Sequence, residues 1–242
     1  MKGISTQVHT SYEVREQTLV IELDGRKRVL SSAPQAGGFT VASYILNHQV
    51  EANPLVKAGQ SRVFRHPARY LRELAVQMGI HAPTVGLMTA VPMTQVVTAR
   101  ALSDGIWVEC FATVGITNAV RVGEWPPTGI QGHQLGKPGT INIILITNGS
   151  LSQAAMVVAV QVITEAKTSV LRDQVVHSSQ SGRPATGTGT DAVVIACSLR
   201  GQGPYCAYSG THTVIGAMIG QVVTSCMAHG LEKAKAWRES HR

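Results

Sequence analysis

Residues 18–23 (TLVIEL) alternate between apolar and polar positions and are rich in β-branched side chains, the pattern of a strand with one buried face. Asp24-Gly25 follows, then a second short run at 26–30, so the stretch predicts a hairpin turning on Asp-Gly. Residues 39–47 predict another strand, although the same run could open a helix. His66-Pro67 opens a helical period, with Tyr70, Leu71, Leu74 and Met78 on one face and Gly79 closing it. Residues 84–91, 96–101 and 105–114 read as three strands, the last two joined by a turn at Asp104-Gly105. The 123–139 stretch, with five glycines and three prolines, predicts a long loop. Residues 140–147 (TINIILIT) form a strand pattern, 150–173 a long helix, 178–190 a Gly/Ser/Thr loop and 191–197 a buried strand. A closing helix spans 213–237, with Ile215, Met218, Ile219, Val222 and Cys226 on one stripe.

Runs of strands with turn-length connections, followed by covering helices, predict an α+β fold: a mainly antiparallel sheet packed against a few helices. The expectation is a single domain over 1–242, with 1–30 as an N-terminal hairpin region. Hydrophobic residues are 44% of the chain and charged residues 14%, enough apolar material for a sizeable core and little reason to expect disorder. Aromatic residues are only 5%, so that core must be aliphatic.

The net charge of +7 raises nucleic acid as a partner. The basic residues are scattered, however. The densest cluster is Arg26-Lys27-Arg28, and the thin series Arg62, Arg65, Arg69, Arg72 lacks aromatic interleaving, so a solvated basic surface and no nucleic-acid partner are expected. Cys110, Cys197, Cys206 and Cys226 form no C-x-x-C pair and read as buried free thiols. The first twelve residues carry no apolar signal-peptide core, and no apolar stretch runs about 18 residues without polar interruption. A cytoplasmic protein with no membrane partner is expected, with homo-oligomerisation left open.

Four segments carry candidate chemistry. In Pro184-Ala185-Thr186-Gly187-Thr188-Gly189-Thr190-Asp191, glycines alternate with threonines, exposing backbone N–H groups that can cradle an oxyanion or anionic ligand. Gly187-x-Gly189-x-x-Ala192 mimics a dinucleotide fingerprint in letters only, since the loop precedes a strand where the fingerprint must follow one. In Thr164-Glu165-Ala166-Lys167-Thr168, the helical wheel puts Lys167 on the apolar stripe of Met156, Val160, Ile163 and Val170, while Glu165 points nearly opposite. A lysine on such a face must be paired, neutral or snorkelling, and Asp191 would suit it as partner. Thr117-Asn118-Ala119 and Gly139-Thr140-Ile141-Asn142 each put an amide beside a strand end, able to donate to a carbonyl oxygen or simply to serve a turn. His212 stands before the N-cap candidate Thr213, where it could act as a general base. No histidine pattern matches a metal-binding spacing.

Taken in order, Ser31-Ser32-Ala33-Pro34, Gly37-Gly38-Phe39, Gly86-Leu87-Met88-Thr89-Ala90, Thr117-Asn118-Ala119, Gly139-Thr140-Ile141-Asn142, Thr164-Glu165-Ala166-Lys167, the 185–191 loop, Gly210 and His212 resemble the adenosylcobinamide amidohydrolase family. The resemblance covers about residues 30–225 and implies hydrolysis of the amide joining aminopropanol to a corrin ring, giving adenosylcobyric acid during cobalamin salvage. The substrate implied is a corrinoid and no cofactor is implied, with metal dependence open. The candidate catalytic residues are Lys167, Asp191, His212, Glu165 and Thr188. The candidate substrate-binding residues are Asn118, Asn142, Thr186, Gly187, Gly189 and Thr190. Two alternatives stand beside this: a non-catalytic corrinoid-binding module, and another amide- or phosphate-handling enzyme using the Gly-Thr loop as an anion nest. The residues leave open whether water or a threonine hydroxyl attacks.

Overall fold

A computed structural model describes residues 4–50, 65–125 and 139–240. Most of the predicted 123–139 loop, and Arg62, lie outside the described residues. One mixed sheet organises the chain. Its strands are β1 (Ser11–Arg15), β2 (Thr18–Ser31), β3 (Gly38–Gln49), β4 (Thr84–Thr89), β5 (Val97–Ser103), β6 (Ile106–Val114), β8 (Ile141–Thr147) and β11 (Ala192–Cys197), in the order β4-β3-β2-β11-β8-β6-β5 with β1 on β2. Three two-residue strands, β7 (Ala119–Val120), β10 (Gly187–Thr188) and β12 (Tyr205–Cys206), and a fourth, β9 (Ser150–Leu151), pair outside it as β7 with β10 and β9 with β12.

Within the main sheet the ladders are antiparallel except β3 with β4 and β8 with β11, and the short β9–β12 ladder outside it is parallel too. Each parallel pair needs a crossover, and each has a helix in it. These are α1 (Pro67–Gln77) between β3 and β4, and α2 (Gln153–Asp173) between β8 and β11. α2 starts where Ser152 caps it, its side chain accepting from Ala155 N at 2.9 Å. α3 (Val214–Ser240) starts at Thr213, whose Oγ1 accepts from Gly216 N at 3.0 Å.

Alternation along the strands sorts the core into layers. Cys110, Ala112, Ile143, Leu145, Ile195 and Cys197 face α2 and α3. Their neighbours Phe111, Ile144, Ile146, Val194 and Ala196 face the other way, onto Leu19, Ile21, Ile45, Val85 and Leu87 of β2, β3 and β4. The sheet therefore bends back over itself, with that second core between its halves. The outer side of the folded-over half, Val20 and Leu46, is covered by Leu71, Leu74 and Met78 from α1 and its end. α2 and α3 are long and apolar enough by length and composition to cross a bilayer, but their apolar stripes pack on the sheet. The four cysteines are free and buried, as expected.

The bend sits at the expected hairpin, which is not one. β2 runs straight through Asp24-Gly25, and the ladder with β3 slips between Glu22 and Lys27, so residues 23–26 bulge opposite Ser43 alone. Gly25 does take a left-handed φ of 68°, but it serves a bulge, not a reversal. The reversal lies earlier. Glu16 (φ 48°) and Gln17 (φ 58°) turn β1 onto β2 with two consecutive left-handed residues, the backbone of a type I′ turn. At Asp104-Gly105 (φ 51° and 74°) the expected turn is present.

Candidate active site

Lys167 lies on the apolar side of α2, and β11 begins directly beneath it. Its Nζ is 2.6 Å from Asp191 Oδ2, and each side chain is 13% exposed. Lys167 cannot reach water easily, so it takes the one carboxylate that the following strand supplies. Asp191 also accepts from Thr188 N at 3.0 Å, Ile141 N at 3.1 Å and the Thr188 hydroxyl. Four donors on two oxygens fill the acceptor capacity of a carboxylate. A methyl group on Gly187 would come within 2.5 Å of Asp191 Oδ2 and 2.9 Å of Lys167 Nζ, so only glycine lets the loop close over the ion pair.

The surrounding turns are tied to this centre. Thr140 Oγ1 donates to Thr190 O at 2.8 Å, and Thr190 Oγ1 lies 3.0 Å from Thr140 Oγ1. Thr186 Oγ1 accepts from Val122 N, and its carbonyl accepts from Thr168 Oγ1 at 3.1 Å. Thr188 pairs with Ala119 in the short β10–β7 ladder, which brings Asn118 alongside. Asn118 Oδ1 is buried with no hydrogen-bond partner among the described residues. Gly189 is exposed, and a Cβ there would meet nothing within 4 Å. Lys167, Asp191, Thr186, Gly187, Thr188, Thr190 and Asn118 thus share one neighbourhood, with Gly189 on its exposed rim.

Three candidates do not join it. Asn142 follows the parity of Ile144, so its side chain enters the core between the two halves of the sheet, away from the helices. There its Nδ2 donates to Asn47 Oδ1 at 2.8 Å and Met88 O at 2.9 Å, and Asn47 Nδ2 donates to Thr113 Oγ1 at 3.0 Å. His212 sits near the N-terminal half of α2: Gly210 lies against Val158, and Ser209 Oγ donates to Ala155 O. Twelve residues of helix, about 18 Å of rise, separate Ala155 from Lys167. Glu165 is exposed on the opposite side of α2, where it lines a groove.

Sequence reasoning passed over three buried polar groups. Glu109 is fully buried, accepts from His9 N and Thr10 N at 2.7 and 3.1 Å, and lies 3.1 Å from Arg100 Nε, pinning the N-terminal segment to β6. A charge inside IWVECFATV was the available signal. His48 bridges Thr18 Oγ1 (2.8 Å) and Tyr70 Oη (2.9 Å). Both ring nitrogens of His48 are thus occupied by hydroxyl partners, and Thr18 Oγ1 also lies 3.2 Å from Glu16 O. Burial pushes the His48 imidazole below its ordinary value. Asn47 completes the set.

The family model for adenosylcobinamide amidohydrolase matches residues 1–239. The chain belongs to the adenosylcobinamide amidohydrolase family. It is an amidohydrolase, and the alternative of a non-catalytic module falls with that membership. A family protein named adenosylcobinamide amidohydrolase in Methanosarcina mazei is 30% identical over 91% of this chain and 97% of its own length. An uncharacterized protein of Methanocaldococcus jannaschii is 31% identical over 90% of this chain and 86% of its own. A Halobacterium salinarum adenosylcobinamide amidohydrolase is 32% identical over 52% of this chain and 50% of its own. Two solved structures align loosely, each at 9% identity. They are the PH0078 protein of Pyrococcus horikoshii (TM-score 0.42, 96% of this chain and 81% of that one) and the L-aminopeptidase D-Ala-esterase/amidase of Ochrobactrum anthropi (TM-score 0.40, 96% and 84%).

Proposed function

We propose that this amidohydrolase cuts the amide between aminopropanol and the corrin ring of adenosylcobinamide, releasing aminopropanol and adenosylcobyric acid for cobalamin salvage in the cytoplasm. The observation that carries the reading is the hydroxyl–carboxylate–ammonium chain of Thr188, Asp191 and Lys167. It has the form of a nucleophile beside a base that a third group orients.

With the acceptor sites of Asp191 filled, the one proton it can take without losing a donor is the Thr188 hydroxyl's, along a hydrogen bond already made. Thr188 Oγ attacks the amide carbon as that proton passes to Asp191, and the carbonyl electron pair moves onto oxygen. Lys167, whose ammonium has N–H donors beyond the one given to Asp191, stabilises the oxyanion, while the N–H groups of Thr186 and Thr188 are held by Val120 O and Asp191. Collapse breaks the C–N bond, and the proton from Asp191 leaves with the amine as aminopropanol. Water then attacks the Thr188 ester, releasing the carboxylic acid and restoring the hydroxyl. Asn118 Oδ1, a buried acceptor, suits the amide N–H of the substrate. His212 and Asn142 have no part in this scheme, and no metal ion is needed for it.

The test is release of aminopropanol from adenosylcobinamide by the purified chain. Thr188→Ala should abolish it, Thr188→Ser should retain it, and quenched enzyme should show the acyl adduct on Thr188 by intact mass. Thr188→Ala turning over at the normal rate would remove the nucleophile assignment. Activity lost to a chelator and regained only with a divalent ion would overturn the metal-free scheme.

A further inference from the structure

An open groove of about 900 Å3 runs along the outer side of α2. Its volume lies at the upper end of what small-molecule sites offer. Pro184 forms part of its wall, and Thr168, in its lining, is hydrogen-bonded to Thr186 O. The loop segment that leads to Gly187 and Thr188 therefore borders the groove on one side and closes over the Lys167–Asp191 pair on the other.

The lining is chemically mixed. The Thr164 and Thr168 hydroxyls already donate to backbone carbonyls. Gln161, Glu165, Ser169, Arg172 and Asp173 are exposed, and their side chains make no hydrogen bond or ion pair among the described residues. They supply amide, carboxylate, hydroxyl and guanidinium groups along one helix face. Carboxylates accept from primary-amide N–H groups, and Arg and Ser donate to amide carbonyls. The sign of the groove also stands out: on a chain of net charge +7, two carboxylates here face one guanidinium. That balance favours a ligand of positive charge.

We infer that this groove holds the cationic, amide-fringed macrocycle of the corrinoid, while its aminopropanol arm crosses the 184–188 loop to reach Thr188. The inference rests on the function proposed above. The corrin periphery presents amides in many directions, which a row of both donors and acceptors can read. The arrangement separates recognition, on the outer side of α2, from the reacting amide at the loop.

Two variants test it in the full-length chain: Ser169→Trp, which fills the groove, and Glu165→Ala with Asp173→Ala, which removes both carboxylates and leaves Arg172 alone. The three positions are exposed, so melting should match the parent. Two readouts are taken: kcat and KM for adenosylcobinamide, and equilibrium binding of adenosylcobyric acid, which keeps the macrocycle but lacks the arm. Both variants should raise KM tenfold or more with kcat within twofold, and should weaken adenosylcobyric acid to a similar degree. Unchanged affinity and KM in correctly folded variants would overturn the groove assignment while leaving the proposed reaction intact. A parent chain that binds adenosylcobyric acid through the groove but releases no aminopropanol would overturn the reaction and leave the groove standing. Failure of the parent to bind either corrinoid would overturn both.

Discussion

Replacing Lys167 by methionine keeps most of the side-chain volume on α2 and removes the ammonium that sits 2.6 Å from Asp191. Breaking one partner of a buried pair costs about 3–5 kcal/mol because the remaining charge loses its compensation. The lower end applies here. Both side chains are 13% exposed, and Asp191 keeps the Thr188 N–H, the Thr188 hydroxyl and the Ile141 N–H as donors. About 3 kcal/mol in a chain of this size corresponds to a fall in Tm of roughly 6–12 °C. Turnover should fall below detection, since the oxyanion loses its cation and the base its orienting partner. Asp191→Asn added to Lys167→Met removes the stranded charge. It should recover about half of the lost stability, and the coupling in the double-mutant cycle should be plainly non-additive. Activity should stay absent, because an amide cannot take the Thr188 proton. Thermal melts and aminopropanol release measure both arms. A Lys167→Met protein with parental melting and parental turnover would show that the lysine only snorkels, and the site built on it would fall.

Asn142→Leu should cost about 2 kcal/mol by leaving the Asn47 Oδ1 and Met88 carbonyl acceptors without their donor, yet kcat measured at a permissive temperature should stay within twofold; a large loss of kcat would return this amide to the mechanism. His212→Ala should change neither kcat nor KM more than twofold, given its place at the far end of α2, and a hundredfold loss would refute that. Folding stability should depend on pH through His48: its folded value is depressed by burial, so the stabilisation is full above the unfolded value of about 6.5 and is lost as pH falls through the lower folded value. Urea midpoints should therefore drop from pH 8 to pH 5, and His48→Gln should flatten that slope; an unchanged slope would clear His48 of the effect.

Where local pattern decides structure, the chain was readable. The β-branched runs became strands, Thr213 capped the helix that follows it, and of the three states the wheel left open for Lys167 the structure shows the paired one, with the aspartate that opens the next strand; Ser152, the cap of the other long helix, was passed over, and Ser150–Leu151 before it are a short strand. What local pattern does not carry was missed. Asp24-Gly25 has the backbone of a turn, but whether the chain reverses there depends on β3, which pairs with β2 on both sides of the bulge. Glu16-Gln17 turns without glycine because the flanking ladder imposes it. The parallel pairings follow from strand order, which no window of sequence records. Asn142 was misplaced although the alternation of its own strand, TINIILIT, puts it on the same side as Ile144.

The place of β11 in the sheet has a consequence for how the chain is made. β11 lies between β2 and β8, pairing Arg28 with Cys197 on one flank and Asn142 with Ala192 on the other. During synthesis both neighbours emerge before it, and until residues 192–197 are out each keeps an open, apolar strand edge. Closure must then join segments from near both ends of the polypeptide, the kind of long-range pairing that folds slowly. Such edges invite pairing with other nascent chains. Ribosome-stalled fragments ending before residue 192 should therefore aggregate or recruit chaperones, and fragments that include β11 and α3 should stop doing so.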